Sequence, residues 1–232
     1  MGLFLSLSSV VGKSKEEVLF ALKKYAASVS GDLVKSDSIE CVESNIAKVQ
    51  EANGNVTIYY PSDYLEWDDS AEFISKELNA PVFSFHIHDG DFWMYHFFVN
   101  GEVRDQFNPY PEYWDDESGK EVHEQWMGNA EAMLDYFPHL TKADISAYLV
   151  HWDTDENGDE KAYDSDEYGR IDWQLLDFMK KLNLPCEMSE DGEFEGDDYT
   201  IWTSRLPINN NKLQAKQDTA IQFASKPWWK FW

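Results

Sequence analysis

Residues 82–107, VFSFHIHDGDFWMYHFFVNGEVRDQF, constrain this chain more than any other stretch. Two turn dipeptides, Asp89-Gly90 and Asn100-Gly101, cut it into three short runs dense in aromatic and β-branched residues. A two-residue type I′ turn needs positive φ at both positions, which Asp, Asn and Gly tolerate best. The stretch therefore reads as a three-stranded antiparallel meander. Two-residue turns set Asp91 opposite His88, Trp93 opposite His86, Asp105 opposite His96 and Arg104 opposite Phe97. Side chains alternate between faces, so Phe83, Phe85, Ile87, Phe92, Met94, Phe98, Val103 and Phe107 form a core face that also carries His96 and Asp105. Ser84, His86, His88, Asp91, Trp93, Tyr95, Phe97, Arg104 and Gln106 fall on the other, amphipathic face.

This register separates the histidines by chemistry. His96 reads as a core imidazole satisfied by Asp105, because buried polar groups are normally paired. The same pair is half of a catalytic triad, but no nucleophile accompanies it. His86 and His88 place two imidazoles on one strand face, and Asp91 across the turn adds a carboxylate. Two nitrogens and an oxygen suit zinc, with a fourth position open to water. The plainer reading of the same residues is a solvated polar face.

Charge narrows the partners. The chain has 44 acidic and 19 basic residues, a formal charge of -25. That argues against a nucleic-acid binder, whose footprint is basic, and disfavours an anionic membrane surface. It fits a basic protein partner or multivalent cations. Cys41 and Cys186 make no metal or redox spacing, which suits a reducing cytoplasm. No apolar run reaches the roughly 18 residues of a membrane span. The start, Met1-Gly2-Leu3-Phe4-Leu5-Ser6, matches a loose myristoylation pattern, but a buried first strand over residues 3–8 explains it more simply.

Around the meander the chain reads as strand, helix, two strands, helix. Ser14 and Glu17 form a capping box before a helix whose face is Val18, Leu22, Tyr25 and Val29. Asn53-Gly54 joins strands over 40–52 and 55–60, with Val49 meeting Ile58. A short helix over 70–78 ends before Pro81. The order β-α-β-β-α-β-β-β predicts an α+β fold, a mostly antiparallel sheet with helices on one face. Three regions follow: a sheet with two helices over 1–114, a helical acidic segment packed on it over 115–204, and a basic, Trp-rich tail over 205–232.

After the break at Asn108-Pro109-Tyr110-Pro111, Val122, Trp126, Ala130, Met133, Leu134 and Phe137 keep a helical period up to Pro138. Thr141 reads as an N-cap for a helix running to Trp152, and Trp173, Leu176, Met179 and Leu182 mark another helix. A strand is expected over 199–203. Between these, Asp153, Asp155, Asn157 and Asp159 alternate around Gly158 at the sixth position. This opening resembles an EF-hand calcium loop, where glycine relieves a sharp bend and oxygens surround the ion. The loop departs from that pattern at Glu160, where an aliphatic residue is usual, and at Asp164, where the twelfth position is usually glutamate. The tail, ending Pro227-Trp-Trp-Lys-Phe-Trp232, is expected to dock on the acidic body.

No nucleophile elbow, Walker loop, dinucleotide fingerprint or zinc-protease motif appears. The first expectation is a binding protein whose acidic surface engages a basic partner, like an immunity or inhibitor protein in charge and size only. Its contact residues are Trp93, Tyr95 and Phe97, or Tyr110, Tyr113 and Trp114. The second is a metal-dependent protein, with calcium at 153–164 or zinc at His86, His88 and Asp91, and a hydrolase as its enzymatic form.

Overall fold

The computed structural model describes residues 3–36, 43–114, 120–152 and 174–208. In chain order the elements are β1 (Leu5–Val11), α1 (Lys15–Ser28), β2 (Asp32–Lys35), β3 (Ile46–Ala52), β4 (Asn55–Tyr59), α2 (Trp67–Leu78), β5 (Pro81–His88), β6 (Phe92–Val99) and β7 (Glu102–Phe107). Short helices α3 (Lys120–Gln125), α4 (Lys142–Ser146) and α5 (Gln174–Lys181) follow, then β8 (Asp197–Trp202). The strands form one antiparallel sheet in the order β2-β8-β3-β4-β1-β5-β6-β7. The α+β class holds. The sheet, however, is not confined to the first 114 residues, because β8 fills the gap between β2 and β3.

Helices cover both faces rather than one. Under α1 and α2, Val10, Val56, Ile58, Val82 and Phe98 pack with Val18, Leu22 and Ile74. On the opposite face, Leu7, Phe83, Phe85, Trp93, Tyr95 and Phe97 pack with Met133, Phe137, Ile145 and Phe178. A second apolar layer is required there because these aromatic side chains leave almost no surface to water. Covering them contributes roughly 1.5–3 kcal/mol each.

Local signals held where short-range chemistry decides. Glu17 Oε2 accepts from the Ser14 N–H at 3.0 Å, completing the capping box. Thr141 caps α4 the same way with Asp144. Asn53-Gly54 forms its two-residue turn, and Val49 faces Ile58.

The helical period over 122–137 does not give one helix. α3 ends at Gln125, Gly128 takes φ +70, and only a 3-10 turn spans Ala130–Ala132. Past Gln125 the chain leaves the helix, Met127 bridges to Phe107 and Gly128 turns in the left-handed region, so the apolar side chains reach the sheet from a broken path. The helix after Thr141 likewise ends at Ser146, well short of Trp152.

The meander forms in a different register. Asp89 and Gly90 do take positive φ, 53 and 77, and the Asp91 N–H donates to the His88 carbonyl at 2.9 Å. Asp91 is then an extra residue, so His88 pairs with Phe92, Ile87 with Trp93 and His86 with Met94. A one-residue slip turns every side chain of β6 over. Trp93, Tyr95 and Phe97 thus join Phe83, Phe85 and Ile87, and His96 joins His86 and His88. Across the second turn, Val99 pairs with Glu102 and Phe98 with Val103 as expected, but a bulge at Arg104 then sets Asp105 opposite Phe97 and Gln106 opposite His96. Asp105 accepts from the buried Tyr95 hydroxyl at 2.7 Å and from the Asn129 N–H at 3.0 Å, not from His96. Among the described residues no helix is long and apolar enough to cross a membrane.

Gly31 locks α1 to β8. A Cβ there would lie 1.8 Å from the Trp202 carbonyl oxygen, whereas at Gly54 (φ +75) it would meet nothing within 4 Å. Gly31→Ala is expected to cost about 3 kcal/mol or more by overpacking against backbone. Gly54→Ala should cost only about 1–2 kcal/mol of left-handed strain. Urea unfolding midpoints of the two variants measure this order.

Candidate functional site

The corrected register gathers polar groups beneath the N-terminal end of α2. Ser6 Oγ and His86 Nδ1 lie 2.9 Å apart, and His86 Nε2 lies 3.4 Å from His88 Nδ1. Trp67 stacks flat on His86, with ring centroids 4.5 Å apart and planes 1° from parallel. Burial, then the neighbouring His88, lowers the His86 pKa to about 4, against a weaker upward pull from Asp68. His86 is therefore a neutral, structural imidazole at neutral pH.

Asp68 binds two partners from the sheet. The Ser84 hydroxyl donates to Asp68 Oδ1 at 2.5 Å, and His96 Nδ1 lies 3.2 Å from the same oxygen. The order matters chemically. In a nucleophile triad the imidazole stands between serine and carboxylate. Here the carboxylate stands between Ser84 and His96, so this array does not present an imidazole base to Ser84.

Beyond His88 the surface changes character. The Phe4 and His88 rings meet edge to face at 5.0 Å, His88 meets Tyr113 at 5.3 Å, and Phe92 meets Tyr113 at 5.0 Å. Tyr110 stands 5.9 Å from Tyr113 at 82°. Phe4 is 40% exposed, Tyr110 and Tyr113 are half-buried, and Phe92 forms the buried floor. The loop that carries the tyrosines is pinned by Asn108 Oδ1, which accepts from the Tyr110 N–H, and by the Pro109 carbonyl, which accepts from the Trp152 N–H. A 3-10 turn over Pro111–Trp114 then aims Tyr113 at the β5–β6 turn. Its hydroxyl donates to Asp91 Oδ2 at 3.1 Å. That bond, and the charges of Asp91 and Asp89, raise the Tyr113 pKa, so the phenol stays a donor.

The residues singled out from sequence divide three ways. Trp93, Tyr95 and Phe97 are buried core residues and offer no contact surface. Tyr110 and Tyr113 do come together, and Asp91 joins them rather than His86 and His88. Among the described residues no three His, Cys, Asp or Glu side chains form a group that could hold a metal ion. The side chain of Trp114, the calcium-like residues Asp153, Asp155, Asn157, Asp159 and Asp164, Cys41, and the tail from 209 lie outside the described part. Cys186 is a buried free thiol whose pKa burial pushes up to about 11.

The sequence alone does not mark Phe4, Trp67 or Asp68 as site residues. Phe4 and Asp68 reach the site only through long-range pairing, Leu5 with Ile87 and α2 across β5, which no local pattern announces. Asp89 is legible in the sequence only as a turn residue.

No protein-family model, curated protein or solved structure matches the chain. The chemistry of the site therefore rests on its own residues.

The His86 environment predicts a pH dependence. Its folded pKa is depressed below the unfolded value near 6.5, so its contribution is complete above that pH and is lost as pH falls toward 4. The full loss is on the order of 3 kcal/mol. Urea unfolding of wild type and His86→Gln should show the stability difference between them shrinking by that amount from neutral pH to about pH 4. A difference that stays constant with pH rejects a buried neutral His86.

Proposed function

We propose that this chain acts by binding, presenting an acidic surface to a basic protein partner and contacting it through the aromatic rim at the β5–β6 turn. The observation that carries this reading is the half-exposed cluster of Phe4, Tyr110 and Tyr113 set against Asp89 and Asp91. Aromatic anchors supply contact area at low entropic cost, and hot spots at interfaces are enriched in such residues. The carboxylates beside them select positive charge. The charge of -25 adds a long-range attraction that speeds encounter without fixing the docked geometry.

The rim is also supported from below. His88 lies between Phe4 and Tyr113, and it is tied through His86 to Ser6 on β1. These contacts position the rim before a partner arrives, which lowers the ordering cost of binding.

The test is fluorescence anisotropy with a short labelled peptide of alternating lysine, arginine and glycine. Binding is expected to weaken at least about tenfold between roughly 50 and 300 mM salt, because exposed charges are screened. Tyr113→Ala and Asp91→Asn are each expected to weaken it about tenfold while far-UV circular dichroism shows the fold kept. Binding that ignores both substitutions would place the partner elsewhere on the acidic surface.

A further inference from the structure

The geometry points to a second site, distinct from the aromatic rim: a small cavity at the end of α5 that takes an aliphatic α-amino acid by its two charges. The cavity holds about 410 Å³ and lies between the β3–β4 corner, the last turn of α5 and residues 184–188. Ligand pockets run from about 300 to 1,000 Å³, so this one suits a single small molecule and not a peptide. Its floor is apolar, made by the buried side chains of Leu176, Leu184, Pro185 and Cys186. Its rim carries Lys180 and Glu187, both exposed.

The cavity follows from how α5 stops. Asn183 takes φ +55, the Leu184 N–H donates back to the Met179 carbonyl at 2.9 Å, and Pro185 bars any continuation of the helix. The walls are then pinned to the sheet. Asn55 Nδ2 donates to the Asn183 carbonyl at 3.0 Å, and the Tyr59 hydroxyl donates to the Pro185 carbonyl at 3.1 Å. Gln50 brackets the Glu187 backbone: its Nε2 donates to the Glu187 carbonyl at 2.6 Å and its Oε1 accepts from the Glu187 N–H at 2.9 Å. A site held this way needs little rearrangement to receive a ligand.

Charge chooses that ligand. Lys181, one residue on, pairs with Asp144 at 3.3 Å. Among the described residues, by contrast, Lys180 and Glu187 have no ion-pair partner, and they are not paired with one another. One cavity rim thus carries an unused ammonium and an unused carboxylate. A simple anion would gain Lys180 and meet repulsion from Glu187, and a simple cation would meet the reverse. A zwitterion satisfies both, its carboxylate toward Lys180 and its ammonium toward Glu187. An aliphatic side chain then covers the apolar floor.

Titration calorimetry on the full chain tests this with three probes that share a branched body: leucine, 4-methylpentanoate, which lacks the ammonium, and 3-methylbutylamine, which lacks the carboxylate. Leucine is expected to bind with a Kd of about 1 mM or tighter, and each single-charge analogue at least about fivefold more weakly. In Lys180→Met, leucine and 3-methylbutylamine should bind alike, because the ligand carboxylate has lost its partner. In Glu187→Gln, leucine and 4-methylpentanoate should bind alike for the mirror reason. Far-UV circular dichroism of both variants checks that the fold is kept. Leucine should also slow alkylation of Cys186 by iodoacetamide, read on its own peptide by mass spectrometry. No heat with leucine overturns the inference. So does an analogue that binds as tightly as leucine, a preference for leucine that survives both substitutions, or binding that leaves Cys186 alkylation unchanged.

Discussion

One extra residue in a turn governs this molecule. Asp91 lets the Asp89-Gly90 corner form and then delays pairing by one position, which rotates all of β6. Six large side chains, Phe83, Phe85, Ile87, Trp93, Tyr95 and Phe97, consequently share one face and are essentially inaccessible to water. The alternative register splits them between two faces and leaves three aromatic residues against the polar helix seam. The cost of an imperfect hairpin is small beside that burial.

The same rotation makes the polar seam. With His96 turned toward α2, Asp68 can hold it and Ser84 at once, while His86 is sealed by Trp67 and Ser6. Such a seam is hydrogen-bonded where it is deepest and opens toward the β5–β6 corner, where aromatic rings and carboxylates take over. The transition follows from the chain running out of helix: α2 begins at Trp67, beside His86, and leaves His88 to Phe4 and the tyrosine loop.

Local chemistry was readable and long-range geometry was not. The Ser14 and Thr141 caps, the Asn53-Gly54 corner and the strand near 199–203 each depend on residues within a few positions of one another, and each formed. The meander was recognised as three strands, yet its register failed because turn residues favour a two-residue loop without forbidding a third. Hence Trp93, Tyr95 and Phe97 read as surface residues in the sequence, although they belong to the core. The period over 122–137 misled for a related reason. Apolar spacing records which residues are buried, whereas the Met127 bridge to Phe107 and the turn at Gly128 interrupt the one helix that would bury them. Of the candidate site, Tyr110, Tyr113 and Asp91 are legible in the sequence; Phe4 gains its neighbours there only when β1 pairs with β5.

The position of β8 carries a consequence for the order in which the molecule can be made. Residues 197–202 sit between strands that begin at residues 32 and 46, so β2 has no ladder partner until the ribosome has passed most of the chain. The β1–β4–β5–β6–β7 half is built from nearer neighbours and can assemble during synthesis. The other edge must wait, with the β3 backbone uncovered meanwhile, and closing so distant a contact is slow. A nascent chain stalled before β8 would expose a ready template for intermolecular pairing.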